Sequence, residues 1–478
     1  MARARTRRAV LALALLAVPG PARVETAAPA AAEGRIGPWT ANPWYWALDG
    51  RPVLLLGASL DDNLFQVPDL ARHLDAMAAA GANYVRNTLS DRRDGGFEVY
   101  AFARLPDGRY DLERWNEEYW RRLDAFLDGT RQRGIVVQIE VWDRFDLSKE
   151  HWEPHPFNPK NNVNYGYEES GFEREYPKHP NLNLQPFFFT TPAQRHNPVV
   201  LRHQERFVEE LLRHTLPHPH VLYCIDNETT AEEAWALHWV EFIRSRAAAA
   251  GLPVAITEMW GDQNVLAAIH RRSFDHPERF DFVEVSQNNH ARNQSHWDVF
   301  QTVRSRLAKH PRPINTVKTY GADGGRFGTT RDGVERWWRH LLGGGAAVRF
   351  HRPPNGLGQG ELALASVRAA RKLESRMRLW ELLPANFLLR ERDGDEAHLA
   401  ARPGRAYALY FPDGGSVELD LRGHPGSFAL RWIDVASGAW AGRATLTGGG
   451  FARVAAPGPG HFVAAIEAAS GADELSGP

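Results

Sequence analysis

Two kinds of hydrophobic pattern alternate along the chain. Short runs of aliphatic and β-branched residues end in polar side chains, and longer stretches with apolar residues at helical spacing follow them. The short runs predict strands at Pro52–Ser59, Asn83–Leu89, Ile135–Trp142, Val221–Asp226, Pro253–Met259, Phe282–Gln287, Pro313–Lys318 and Ala346–His351. The longer stretches predict helices over Pro68–Ala80, Leu112–Arg133, Pro198–His214, Ala231–Ala250, Ser295–His310, Arg331–Leu342 and Leu362–Leu382. Gly81, Gly134 and Gly251 stand just before the next strand and suit left-handed helix C-caps. Eight strand–helix units predict an α/β fold, a (β/α)8 TIM barrel over residues 33–386. A doubly wound open sheet is the alternative, disfavoured because no Gly-rich phosphate loop follows the first strand.

Two segments break the rhythm. Residues 143–197 are rich in Pro, Asn, His and aromatics and follow the third strand, on the face where barrels carry their sites. From Phe387 the pattern becomes short strand-like segments (HLAAR, YALYF, SVELDL, FALRWIDV, FARVA, HFVAAIE) separated by Gly-rich turns. They predict a small C-terminal antiparallel β-sandwich over 387–470, with a frayed tail at 471–478. The first 32 residues read as signal peptide and linker. Arg3, Arg5, Arg7 and Arg8 precede the apolar run Ala9–Val18, and a small-residue cleavage site follows. Secretion or periplasmic export is expected, by the general or the twin-arginine route.

Composition narrows the function classes. With 57 Lys+Arg against 58 Asp+Glu the net charge is -1, which argues against a nucleic-acid partner. The single cysteine, Cys224, excludes an intrachain disulfide and a cysteine-built metal site. No later apolar run is long enough for a membrane span. The 16 Trp fit either a large aromatic core or platforms for flat ligands such as sugars. The histidines of the long loop (His151, His155, His179, His196) show no metal-ligand spacing, so neither metal nor cofactor is expected, and a monomer is.

Candidate chemistry lies at the C-terminal strand ends. In order these offer Asp62, Arg86, Glu140 with Trp142, Asp226-Asn227-Glu228, Glu258 with Trp260, Asn288 with His290, Lys318 with Tyr320, and His351 with Arg352. So many hydrogen-bonding groups around one mouth suit a ligand with many hydroxyls. Glu228, at a strand end among apolar neighbours, is expected to hold a raised pKa and stay protonated. Trp142, Trp260, Tyr320 and Phe350 are candidate stacking platforms. Trp235, Trp239, Trp337, Trp338 and Trp380 fall on helices as core.

Ile225-Asp226-Asn227-Glu228 resembles the fourth-strand end of the clan-A glycoside hydrolases, and Gly81-Ala82-Asn83-Tyr84-Val85-Arg86 is similar to their second-strand pattern. Asn42-Pro43-Trp44-Tyr45-Trp46 with Asp49-Gly50-Arg51-Pro52-Val53 resembles the apiosidase-like branch, whose members often carry a C-terminal β-domain labelled collagen-binding. The resemblance implies a (β/α)8 glycosidase acting on a poly- or oligosaccharide by a two-carboxylate mechanism. It makes Glu228 the acid/base, has Asn227 hydrogen-bond the sugar, and has Arg86 orient the carboxylates. The chain departs from that pattern at the seventh strand, where Pro313–Gly321 carries Lys318 in place of the nucleophile Glu. Glu258 is then the expected second carboxylate, ahead of Glu140 and Glu284. Arg86, Glu140, Trp142, Asn227, Trp260, Asn288, His290, Lys318, Tyr320 and His351 are expected to contact substrate. Lys318 with Arg86 and Arg352 suggests an acidic sugar. The alternative reading is a glycan-binding barrel without catalysis, and a third is matrix binding through the β-sandwich.

Overall fold

A computed structural model describes residues 34–89, 95–182 and 184–469. The export signal and the C-terminal tail expected from the sequence lie outside these residues.

All eight predicted strands form. They are β1 (Leu55–Ala58), β2 (Tyr84–Thr88), β3 (Val136–Asp143), β4 (Val221–Asn227), β5 (Ile256–Thr257), β6 (Val283–Glu284), β7 (Ile314–Thr319) and β8 (Ala347–Phe350). All are buried along their length. They pair in parallel as two four-stranded sheets, β5-β4-β3-β2 and β6-β7-β8-β1. Among the described residues no strand ladder joins the two sheets, so they do not form the continuous ladder of a closed barrel. Single groups bridge the two seams instead. The Asn83 N–H donates to the Leu56 carbonyl at 2.8 Å, and the Asp281 N–H donates to the Ile256 carbonyl at 2.9 Å.

Helices α1 (Leu70–Ala79), α2 (Glu117–Gln132), α3 (Pro198–Thr215), α4 (Glu233–Ala249), α5 (Asn293–Leu307), α6 (Thr330–Leu342) and α7 (Glu361–Glu374) alternate with the strands. Gly81, Gly134 and Gly251 sit at φ 82°, 64° and 69°, the left-handed caps that end α1, α2 and α4. The helix predicted from Leu112 begins later. Asn116 caps α2 by accepting from the Glu118 N–H, and Tyr110–Trp115 pairs instead with Phe102–Arg104 as a hairpin. The helix predicted to run to Leu382 ends at Glu374, after which Met377, Leu379 and Leu382 turn into the core.

The insertion after β3 folds back on the aromatic core. Phe187 packs edge-on against Trp142 at 5.3 Å, and Phe188 against Trp235 at 5.3 Å. Phe187, Phe188 and Phe189 are therefore buried in the core.

Beyond α7, nine antiparallel strands form two sheets: β9 (Leu383–Pro384), β10 (Leu389–Arg390), β11 (His398–Arg402), β12 (Ala406–Phe411), β13 (Ser416–Asp420), β14 (Ser427–Asp434), β15 (Ala439–Thr447), β16 (Phe451–Ala455) and β17 (Phe462–Ala468). The sheets run β9-β11-β12-β17-β14-β15 and β10-β13-β16 and share one apolar core. The larger sheet also buries Tyr410, Ile433, Val435 and Val463 against the main core, where Tyr410 stacks on Trp338 at 5.5 Å. No helix among the described residues is long and apolar enough to cross a membrane.

A polar network ties the two parallel sheets together through the interior. Asn315 on β7 donates to the Tyr84 hydroxyl (3.2 Å) and to Gln138 Oε1 (3.1 Å), and accepts from Trp46 Nε1 at 2.9 Å. Tyr84 in turn donates to Gln138 at 2.6 Å. All four residues are fully buried, so each lost partner costs the desolvation of the other. Asn315→Leu, close in volume, is expected to lower stability by about 2–4 kcal/mol, measured as a fall in the urea midpoint. A midpoint at or above that of the native chain would show that the network is dispensable.

Candidate active site

The strand ends converge on a cluster whose geometry is set by charge. Lys318 Nζ donates to Asn227 Oδ1 and to Glu228 Oε1, both at 2.6 Å, and Asn227 Nδ2 donates to Asp143 Oδ1 at 3.0 Å. Asp143 therefore lies two hydrogen bonds from Lys318, and Glu228 lies one. Beneath them Arg86 is held between Asp62, at 2.5 Å, and Glu140. Asp62 also takes Arg349 at 2.9 Å and Arg352 at 3.2 Å, with His351 at 3.7 Å.

Among Glu140, Asp143, Asp226, Glu228, Glu258 and Glu284, only Glu228 escapes full burial, its side chain 16% exposed. Its backbone is left-handed, at φ 60°, which is costly for a residue with a Cβ. The next residue fastens the turn. The Thr229 N–H donates to the Met259 carbonyl at 2.7 Å, and the Gly261 N–H donates to the Thr229 carbonyl at 2.8 Å. A Cβ on Gly261 would lie 2.6 Å from the Glu228 carbonyl oxygen, so glycine is needed for this approach.

Burial and partners together set the charge state of each carboxyl. Burial alone would raise the Glu228 pKa, but the Lys318 ammonium, by charge and hydrogen bond, and Arg86 hold it below the usual glutamate range. The protonated Glu228 expected from the sequence is therefore corrected: the group is an anion at neutral pH. Lys318 is correspondingly held above its ordinary value despite burial, chiefly by Glu228. Asp62 stays well below the carboxylate range because Arg86, His351, Arg349 and Arg352 surround it and outweigh its burial. Burial pushes Glu140 up against the pull of Arg86. Burial and the neighbouring Asp226 push Glu258 well up. Burial also shifts His290 down to about 4, with Arg326 adding to it, and the Tyr320 hydroxyl up to about 12.

The predicted site residues divide into two groups. Asn227, Glu228, His290, Lys318, Tyr320 and His351 come together. Tyr320 meets His351 edge-on at 4.7 Å and stacks on Phe327 at 4.2 Å. His290 bonds Gln287 at 3.0 Å. The others are placed elsewhere. Glu258 is fully buried, and its Oε1 accepts from the Asp226 N–H (3.2 Å) and the Met259 N–H (2.8 Å), so it braces backbone rather than facing Glu228. Arg86 and Glu140 are closed beneath the mouth on each other. Trp142 sits among Phe187, Phe207, Trp235 and Trp239, and Trp260 is buried with Nε1 on Ser273 at 3.2 Å. Phe350 lies flat against Trp337 at 5.3 Å. None of these three rings is a sugar platform. Asn288 donates to the His296 carbonyl (3.0 Å) and to His340 (3.1 Å), between α5 and α6 and away from the mouth. Arg352 is taken by Asp62, which removes it as a free cation for an acidic sugar. Two residues went unnoticed in the sequence, Ser286 and Arg349. The only signal for either was a charged side chain in the middle of an apolar strand, at Arg349.

No family model matches the chain, and no curated protein matches its sequence. Solved structures do resemble its fold. A glycoside hydrolase family 5 protein from Bacteroides vulgatus is similar with a TM-score of 0.60 at 13% identity, over 91% of this chain and 94% of that one. A second glycoside hydrolase gives a TM-score of 0.60 at 11% identity, over 91% and 97%. A noncanonic maltogenic α-amylase from Thermotoga neapolitana gives 0.51 at 11% identity, over 87% and 99%. At such identity the likeness is one of fold.

Glu284 offers a direct check on the buried charges. Burial raises its pKa to about 7, against the hydrogen bonds from Ser286. A carboxyl raised on folding contributes stability that is complete below its unfolded pKa and is lost as pH rises through the folded one. Glu284→Gln is therefore expected to flatten the decline of stability between about pH 4.5 and about pH 7. Urea denaturation across that range would reveal it, and curves that stay parallel to those of the native chain would refute the assignment.

Proposed function

We propose that the chain is an exported glycoside hydrolase that cleaves glycosidic bonds of a poly- or oligosaccharide at the C-terminal mouth of a (β/α)8 barrel, with a β-sandwich packed on it. The observation that carries this reading is Glu228, an ionised carboxylate that reaches solvent and is fixed between a strained backbone and Lys318. The fold likeness to glycoside hydrolases supports it, as does the apiosidase-like pattern of the N-terminal strands.

The role of Glu228 follows from its charge. An anion cannot supply a proton, so Glu228 acts as base. It takes a proton from water, the water oxygen attacks the anomeric carbon, and the bond to the leaving oxygen breaks. The leaving oxygen takes the Tyr320 hydroxyl proton. Burial keeps the Tyr320 hydroxyl protonated at neutral pH, and the Lys318 ammonium stabilises the phenolate that forms. The proton held by Glu228 then returns to Tyr320 through solvent. Asn227, oriented by Asp143 and Lys318, and His290, neutral at pH 7, hold sugar hydroxyls. This mechanism replaces the Glu228–Glu258 pair with one carboxylate and one phenol.

One observation favours a second reading. The Lys318–Glu228 ion pair closes the position where clan A carries its nucleophile, as in a barrel that binds glycans without cleaving them. Assaying the native chain, Glu228→Gln and Tyr320→Phe on a broad glycan panel, with binding measured in parallel, separates the two. Hydrolysis by the native chain is expected to fall at least about 10²-fold in each variant while binding persists. A native chain that binds but never cleaves would establish the second reading.

A further inference from the structure

Lys318 reaches Glu228 only because β7 breaks its own alternation. Asn315 points into the interior, where it meets Tyr84 and Gln138. Lys318 points inward too, onto Asn227 and Glu228. Residues three apart on a regular strand face opposite ways. The register with β8 shows the extra residue: Thr316 pairs with Val348 but Thr319 with Phe350, a β-bulge over Val317 and Lys318. A bulge frees backbone groups, and buried ones must find partners.

Those groups are caught by side chains from both neighbouring strands. Ser286 Oγ accepts from the Val317 N–H and the Lys318 N–H, each at 3.0 Å, and donates to Glu284 Oε1. Glu284 Oε1 also accepts from the Ser286 N–H at 2.7 Å, which fixes the hydroxyl. From the other side Arg349 Nη1 donates to the Val317 carbonyl at 2.7 Å. Asn289 donates to the Lys318 carbonyl and accepts from the Tyr320 N–H at 3.3 Å. Ser286, Glu284 and Arg349 are all nearly inaccessible to solvent.

We propose that Ser286 is the positioning residue of the site, holding the β7 bulge open so that Lys318 is presented to Glu228. This deepens the proposed function, since it rests on Glu228 and Lys318 being the working pair. Its test is independent of any substrate. A bulge without its double acceptor relaxes toward regular alternation, which swings Lys318 away and leaves the partly buried Glu228 without its cation.

The readout is the ionisation midpoint of Glu228 in the full chain, followed by carboxyl ¹³C resonance with labelled glutamate and assigned by its loss in Glu228→Gln. The charged and titratable groups that face Glu228 are Lys318, Arg86, His290 and Tyr320, and none is altered by changing Ser286. Ser286→Ala is expected to raise the midpoint by at least about one pH unit, a tenfold gain in proton affinity. Ser286→Thr, which keeps the hydroxyl, is expected to leave it in place. Lys318→Met sets the full extent of the shift. A folded Ser286→Ala whose Glu228 titrates as in the native chain would overturn the proposal, as would a Ser286→Thr shift equal to that of the alanine variant. Should Ser286→Ala fail to fold by near-ultraviolet circular dichroism, Ser286→Cys decides: nearly isosteric but a weak acceptor, it must shift the midpoint in the same direction. A loss of hydrolysis with no change in this titration would count against the positioning role while leaving the hydrolase reading intact.

Discussion

Charge buried inside a parallel sheet must be paired, and this constraint orders the site. Arg86, Lys318 and Arg349 are each almost wholly shielded from water in the interior. Removing such a group from water costs several kcal/mol, so each cation is committed to a carboxylate or a carbonyl. The commitment also sorts the acids. Asp62 and Glu228, which hold a cation, remain anions, whereas Glu258 and Glu284, which hold backbone N–H groups or a hydroxyl, are driven toward the neutral form. The charge state of a carboxyl therefore depends on its burial as well as its partner, since burial raises Glu140 even with Arg86 beside it.

The same constraint explains why the interior is layered. Lowest lies the neutral network of Trp46, Tyr84, Gln138 and Asn315, which joins the two parallel sheets without a charge. Above it sit Arg86, Glu140, Arg349 and Asp62, closed on one another. In the uppermost layer Asn227, Lys318 and Tyr320 are buried around Glu228, whose side chain is partly exposed.

Much of this was legible in the sequence, and the remainder fails for identifiable reasons. All eight strands are visible because strands buried on both faces read as short apolar runs. The polar strand ends, Glu228 and the anomaly at Lys318 are visible because strand ends are fixed by the same runs. The orientation of a side chain at a strand end is not. Trp142, Trp260 and Phe350 stand at the right positions and turn into the core, Trp142 and Phe350 onto helix aromatics that offer more buried surface than the mouth does, and Trp260 onto Ser273 and Arg272. The ion pair of Lys318 with Glu228 joins residues on strands far apart in sequence, and no local pattern encodes it. The bulge that permits it carries no glycine or proline in Asn315-Thr316-Val317-Lys318. The hairpin before α2 was missed because Leu112 and Trp115 also fit a helical period.

Glu228 combines two features that usually oppose each other, strain and stability. A left-handed backbone at a residue with a Cβ costs of order 1–3 kcal/mol, and an unbraced turn would relax and withdraw the side chain. The brace comes from β5. Glu258 accepts the N–H groups of Asp226 and Met259, the Met259 carbonyl takes Thr229, and Gly261 lets the next turn close against Glu228. Glu258 is therefore tied to Glu228 through the backbone rather than as the other half of an acid–base pair. One buried acid keeps the strained turn in place, and one buried cation keeps its carboxylate ionised. Together they allow the anion to reach solvent on a rigid support, the arrangement a base needs before a substrate arrives.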